Sequence, residues 1–150
     1  MTHIVTNKQV IKTSQEKAFK AIVECEKWPE FLPGCKLVEI LQQREHYMVR
    51  RMHSLINNRI VKMVTECNIF PDEYRIQYRQ IEVPWPLSIN GGNWTIKKIK
   101  DGMVEMELTH VFKVKFGILG DLAAWLAIGP FYIYSHNKKV LKQYASYLEC

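Results

Sequence analysis

The sequence predicts an α+β fold in which one long antiparallel sheet closes around a C-terminal helix. Three observations carry this. A first strand runs directly into two short helical segments, six further strand-like stretches follow in series with turn signals between them, and the last stretch repeats its apolar residues at helical spacing. The 150 residues make one domain's worth of chain, 47% hydrophobic and 24% charged. That is the balance of a folded protein able to build a core and still enclose a pocket.

Residues from about Ile4 to Lys12 alternate as the first strand. Ser14 then offers a helix N-cap with Glu16 in the first turn, and Ala18, Phe19, Ile22 and Cys25 follow at helical spacing. Trp28-Pro29 is expected to end that helix, because the residue before proline is pushed out of the α region. Pro29 then opens a second short helix through Phe31 and Leu32, which Pro33-Gly34 breaks. Further strands are expected over about Lys36 to Gln43, His46 to Ile56, Arg59 to Phe70, Tyr74 to Val83, Asn93 to Lys100 and Met103 to Lys115. Asn57-Asn58, Pro71-Asp72 and Asp101-Gly102 supply turn signals, and Pro84-Trp85-Pro86 with Gly91-Gly92 brackets an expected irregular loop. From Leu119 to Glu149 the pattern is helical, interrupted at Gly129-Pro130, with Tyr132, Ile133, His136, Val140, Tyr144 and Tyr147 or Leu148 near one face.

Lys and Arg number 21 against 15 acidic residues, and the formal charge of +6 favours an anionic partner. The basic residues are scattered with no arginine-rich arm, which argues against DNA as that partner. Phe116 to Tyr134 contains Asp121, three glycines and Pro130, and reads as a buried or surface-docked helical region instead of a transmembrane span. Contact with a membrane surface stays open. Cys25, Cys35, Cys67 and Cys150 show no C-x-x-C pair and no zinc-site spacing, so no metal is expected. Met1-Thr2-His3-Ile4 does not begin a secretory leader, and the expectation is a reduced, cytoplasmic chain. No G-x-S-x-G, G-x-G-x-x-G, G-K-[ST] or H-E-x-x-H motif occurs.

The last strand gives the sharpest local signal. Val104, Met106, Leu108, His110, Phe112 and Val114 share one face, so His110 points where the apolar residues point. It is either a core histidine satisfied by a carbonyl or a tyrosine hydroxyl, or a proton donor and acceptor lining a cavity. Trp94 with Ile96, Tyr74 with Ile76 and Tyr78, and Met63 with Cys67 and Ile69 mark other inward faces, fitting a dense core or an apolar pocket with hydrogen-bonding tips. Cys67 has no basic partner placed by sequence to make it a nucleophile. Asn137 follows His136 and faces either solvent or the pocket.

Several local motifs resemble the START-like (Bet v 1-like, SRPBCC) superfamily, in particular its polyketide cyclase/dehydrase and coenzyme Q-binding branch. They are the segment Glu26-Lys27-Trp28-Pro29-Glu30-Phe31-Leu32-Pro33-Gly34-Cys35, the passage from Pro86-Leu87 to Gly92-Asn93-Trp94, and Val111-Phe112-Lys113-Val114 leading into a terminal helix. The resemblance covers nearly the whole chain. It implies a helix-grip fold with a cavity between the curved sheet and the terminal helix, holding an elongated apolar ligand with no metal and no organic cofactor.

By that resemblance the leading expectation is an aromatase/cyclase that takes a poly-β-ketone tethered to an acyl carrier protein and guides aldol ring closure and dehydration. Trp28, Trp94, His110 and Asn137 look like cavity positions of that group. His110, Asn137, Arg79 and Tyr78 are the candidate catalytic residues, and Trp28, Phe31, Met63, Cys67, Trp94 and Met106 the candidate substrate-binding residues. Many aromatase/cyclases carry an inward serine and arginine on the strand that here reads Val64-Thr65-Glu66-Cys67-Asn68, where no arginine occurs. Arg79, Arg51 and His53 are the replacements at hand. A neutral His110 with a pKa near working pH would move the proton. A non-catalytic carrier of quinone, lipid or another hydrophobic small molecule is the alternative, and a ribosome-associated module the third.

Overall fold

The computed structural model describes residues 2–56, 58–83, 87–115, 117–123 and 132–149. Its strands are β1 (His3–Ile11), β2 (Cys35–Arg44), β3 (Tyr47–Ile56), β4 (Arg59–Phe70), β5 (Arg75–Glu82), β6 (Leu87–Lys100) and β7 (Met103–Val114). They form one seven-stranded antiparallel sheet in the order β1-β7-β6-β5-β4-β3-β2. Each strand from β2 to β6 pairs with the next, a chain of hairpins, while β1 joins the far edge beside β7. The helices are α1 (Gln15–Val23), α2 (Gly117–Ala123) and α3 (Tyr134–Glu149). Most inward residues of the sheet, α1, the turn after it and α3 share one core, in which Ile11, Ile22, Met106, Leu141 and Tyr144 are fully enclosed, while Phe112 and Val114 pack with Ile133 in a smaller second cluster. This is the α+β helix-grip arrangement that the sequence predicts.

Local chemistry explains where elements start and where two expectations need correction. Ser14 Oγ accepts from the Lys17 N–H at 3.2 Å and opens α1. The helix ends at Val23, because Glu24 leaves the helical region at ψ 60° while its N–H still donates to the Lys20 carbonyl. Trp28-Pro29 therefore sits inside the second, 3₁₀ helix (Cys25–Glu30) instead of separating the two. The Trp28 indole N–H donates to the Ala21 carbonyl at 3.0 Å, tying this turn to the buried C-terminal end of α1.

The second correction is β6, which begins at Leu87 where an irregular loop was expected. Gly92 pairs with Tyr78 on one side and His110 on the other. Its φ of +149° and the lack of a side chain let β6 pass close to β7, where a Cβ would stand 1.8 Å from the Thr109 oxygen. Asn57, Pro84-Trp85-Pro86, Phe116, Gly129-Pro130 and Cys150 lie outside the described residues.

On α3 the buried stripe is also shifted from the expected one. Asn137, Leu141, Tyr144 and Ala145 face the sheet, whereas His136 is exposed. Tyr132 and Tyr147 are exposed as well. Among the described residues no helix is long and apolar enough to cross a membrane. Cys25, Cys35 and Cys67 are free, buried thiols.

Candidate ligand-binding and catalytic site

Strand pairing sorts the inward side chains into rows across the sheet. One row runs Val5, His110, Gly92, Tyr78, Cys67, Met48. A second places Arg50 beside Thr65, and Thr65 beside Gln80. A third runs Asn7, Leu108, Trp94, Ile76, Ile69. Because Gly92 carries no side chain, the Tyr78 ring meets His110 across it, edge-on with ring centres 6.2 Å apart. The Tyr78 hydroxyl donates to the Thr109 carbonyl at 3.4 Å.

His110 is held by a chain of amides. Its Nε2 bonds Asn90 Oδ1, Asn90 Nδ2 donates to Gln80 Oε1 at 2.9 Å, and Gln80 Nε2 donates to Met63 Sδ at 3.3 Å. This direction makes Asn90 Oδ1 an acceptor, so Nε2 carries the imidazole proton and Nδ1 presents its lone pair. Burial lowers the His110 pKa from 6.5 to about 4; Asn137 nearby pulls it up and His136 pulls it down. The ring is therefore neutral at pH 7, but its pKa lies well below the near-neutral value expected from sequence. Asn137 sits near the ring without closing a hydrogen bond to Nδ1, and both His110 Nδ1 and Asn137 Nδ2 lack partners among the described residues.

The other half of the interior is organised by Arg50. It is buried, and its guanidinium carbon lies 4.4 Å from the centre of the Trp28 ring. Burial works against its charge, but Cys67, Cys25 and Tyr144 around it outweigh this and its pKa is raised. No carboxylate pairs with it among the described residues, although Arg51, Arg75 and Arg79 all have acidic partners. Tyr144 on α3 packs edge-on to Phe31 at 5.1 Å, Trp94 at 5.3 Å and Trp28 at 6.5 Å. Its hydroxyl is buried without a partner among the described residues. An unsatisfied buried polar atom costs about 1–3 kcal/mol. The Tyr144 hydroxyl beside Arg50, and the Asn7, His110 and Asn137 atoms elsewhere on the inward side, are buried polar groups open to a ligand's polar atoms or to water.

The remaining predicted residues fall in three places. Trp28, Trp94, Cys67 and Met106 are buried in the main core, with Phe31 at its margin stacked on Tyr147 at 4.0 Å. Met63 is buried and ends the amide chain. Burial pushes the Cys67 thiol up, which makes it a poor nucleophile. Arg79 does not reach the interior: its phase on β5 is opposite to Tyr78, and it pairs with Glu66 on the outer face. Arg51 and His53 likewise pair with Glu39 outside. The inward arginine is Arg50, next to Arg51 in sequence, and sequence reasoning missed it together with Asn90, Gln80 and Asn7. Alternation puts Met48, Arg50, Met52 and Ser54 on one face of β3, but the opposite face is equally mixed in polarity, so the pattern alone does not say which of the two is inward. Among the described residues no cluster of His, Cys, Asp and Glu could hold a metal ion.

With this geometry in place, the comparisons fix the family. The model of the family described as polyketide cyclase / dehydrase and lipid transport matches residues 11–130, well over half of the chain. The chain belongs to this family. A comparison with curated protein sequences returns no match. Among solved structures, the Zhui aromatase/cyclase from Streptomyces sp. R1128 is 18% identical with a TM-score of 0.74, covering 98% of this chain and 86% of that one. The di-domain ARO/CYC BexL from the BE-7585A biosynthetic pathway is 16% identical with a TM-score of 0.83, covering 99% of this chain and 50% of that one. TTHA0849 from Thermus thermophilus is 14% identical with a TM-score of 0.81, covering 97% of each chain. At these identities the likenesses speak to the fold. Family membership leaves both a cyclase and a lipid-carrying activity open to a chain with this interior.

Proposed function

We propose that this protein is an aromatase/cyclase that folds a carrier-tethered poly-β-ketone in its interior and promotes aldol closure and dehydration. The observation that carries the reading is that Arg50 on β3 and His110 on β7 both turn to the inward side of the one sheet, four strands apart. One is a cation without a carboxylate partner among the described residues, the other a neutral imidazole with a free lone pair, and Tyr78 stands between them. The carbon between two carbonyls is already acidic, so the larger task is to bring the right carbons together within an apolar wall. His110 Nδ1 takes the proton from that carbon, and the enolate carbon attacks a second carbonyl. The electron pair of the broken C=O π bond moves to oxygen, where Arg50 stabilises the alkoxide. The buried imidazolium, disfavoured by its surroundings, returns its proton to that oxygen. Loss of a further proton and of the hydroxyl as water completes the double bond. The formal charge of +6 suits docking of an acidic acyl carrier protein on the surface.

The test is reconstitution with a minimal polyketide synthase that supplies the carrier-bound chain. The expected result is one cyclised, dehydrated product in place of the spontaneous mixture, and loss of that control in Arg50→Met. A product mixture unchanged by the protein removes the cyclase reading. The second reading, a carrier of an apolar small molecule, rests on the lipid transport in the family's description and on the aromatic cluster around Tyr144. Native mass spectrometry of the purified protein with co-purified lipid or quinone, and no effect on polyketide products, would favour it.

A further inference from the structure

We infer that Asn7, Asn137 and His110 form a subsite for a hydroxyl group, and that Asn7 sets a preference for hydroxylated over unsubstituted apolar ligands. The inference rests on the reading that the interior takes an apolar ligand, and it names a chemical group that this ligand carries. Asn7 is buried on β1, and its Nδ2 donates to the Tyr134 carbonyl at 3.1 Å at the start of α3. That bond fixes Oδ1 as an acceptor, and it has no partner among the described residues.

Asn137 follows Tyr134 by three residues on the same helix, hence on the same side, and is also buried with its Nδ2 unpartnered among the described residues. On the sheet, Val5 pairs with His110 and Asn7 with Leu108, so Asn7 and His110 are diagonal neighbours on one face, a separation of about 7–8 Å between backbones. Three orphan atoms thus gather where β1, β7 and α3 meet: two acceptors, Asn7 Oδ1 and His110 Nδ1, and one donor, Asn137 Nδ2.

The complement of this set is a group that both donates and accepts. A carbonyl or ether oxygen only accepts and leaves both acceptors empty. An ammonium only donates, and none of these three side chains is anionic to balance its charge. A phenolic or enolic hydroxyl donates its proton to one acceptor and receives the Asn137 N–H. A trapped water has the same chemistry, and the test separates the two.

Binding of 2-naphthol and of naphthalene is measured by calorimetry on the parent, Asn7→Leu and Asn137→Leu, the two variants giving independent readings should one fail to fold. The expected result is naphthol binding about tenfold or more tighter than naphthalene to the parent, a difference that one or two hydrogen bonds to buried groups supply. In either folded variant the ratio falls toward one while naphthalene binding holds. If naphthalene binds the parent and naphthol no better, a resident water fills the subsite; the inference fails and the ligand-binding reading survives. If the ratio persists in the variants, the hydroxyl is read elsewhere and the inference fails. If neither compound binds, the ligand-binding interior and the subsite fall together.

Discussion

The Arg50 guanidinium rests on the face of Trp28, and no carboxylate pairs with it among the described residues. A buried charge held this way is costly, and replacing it by an apolar side chain of similar volume is often neutral or stabilising by about 1–4 kcal/mol. Arg50→Met should therefore keep or raise the urea midpoint while lowering cyclised product by about 10²–10³, the effect of losing one donor to a developing oxyanion. Arg50→Lys should not restore product, since an ammonium lacks the planar face and fork. A large loss of stability with normal product would make Arg50 a structural residue.

Asn90 sets the proton on His110. Asn90→Asp places a carboxylate against Nε2, and an opposite charge at that distance favours the imidazolium. The His110 pKa should rise from about 4 toward neutrality, followed by its imidazole NMR shifts across pH. Asn90→Leu leaves Nε2–H without its acceptor and should cost about 1–3 kcal/mol of stability. An unmoved His110 titration in Asn90→Asp would contradict the amide chain.

The depressed pKa of His110 also predicts a pH dependence of stability. The folded imidazole titrates at about 4, against 6.5 for the free group, so as pH falls the unfolded chain binds the proton first. Stability present above pH 6.5 is lost between 6.5 and 4 and changes no further below 4 through this group. The loss is ~3 kcal/mol at most. His136 is lowered too, while Glu16, Glu24 and Glu39, lowered from 4.5, act at more acid pH. His110→Gln should flatten the urea midpoint between about pH 6.5 and 5 when parent and variant both carry His136→Gln. An equal slope in both would show that His110 is not the buried titrating group.

Gly92→Ala should abolish soluble folding. Its Cβ would meet backbone, the Thr109 oxygen at 1.8 Å, at a φ of +149° that side chains rarely adopt. Gly34→Ala, where nothing lies within 4 Å, is the control and should change stability by less than about 1 kcal/mol. Soluble expression with circular dichroism distinguishes the two. A folded Gly92→Ala protein would mean that β6 can shift away from β7.

The strands β2 to β5 and β7, the cap at Ser14 and the inward phase of His110 are legible in the sequence, because each rests on local chemistry: period-two alternation, turn residues and a side-chain acceptor for free helix N–H groups. Tertiary structure decided the rest. Gly91-Gly92 reads as the end of an irregular loop until β5 and β7 pair with it on both sides. On β3 the faces Met48, Arg50, Met52 and Val49, Arg51, His53 are each mixed in polarity, so sequence cannot choose between them. The choice falls to pairing, where Met48 meets Cys67 and Arg50 meets Thr65, both inward on β4. Asn137 rather than His136 turns inward because α3 docks through Asn137, Leu141, Tyr144 and Ala145. Whether a polar side chain becomes part of a site depended in each case on which face its neighbours buried, a property of packing across strands that are far apart in the chain.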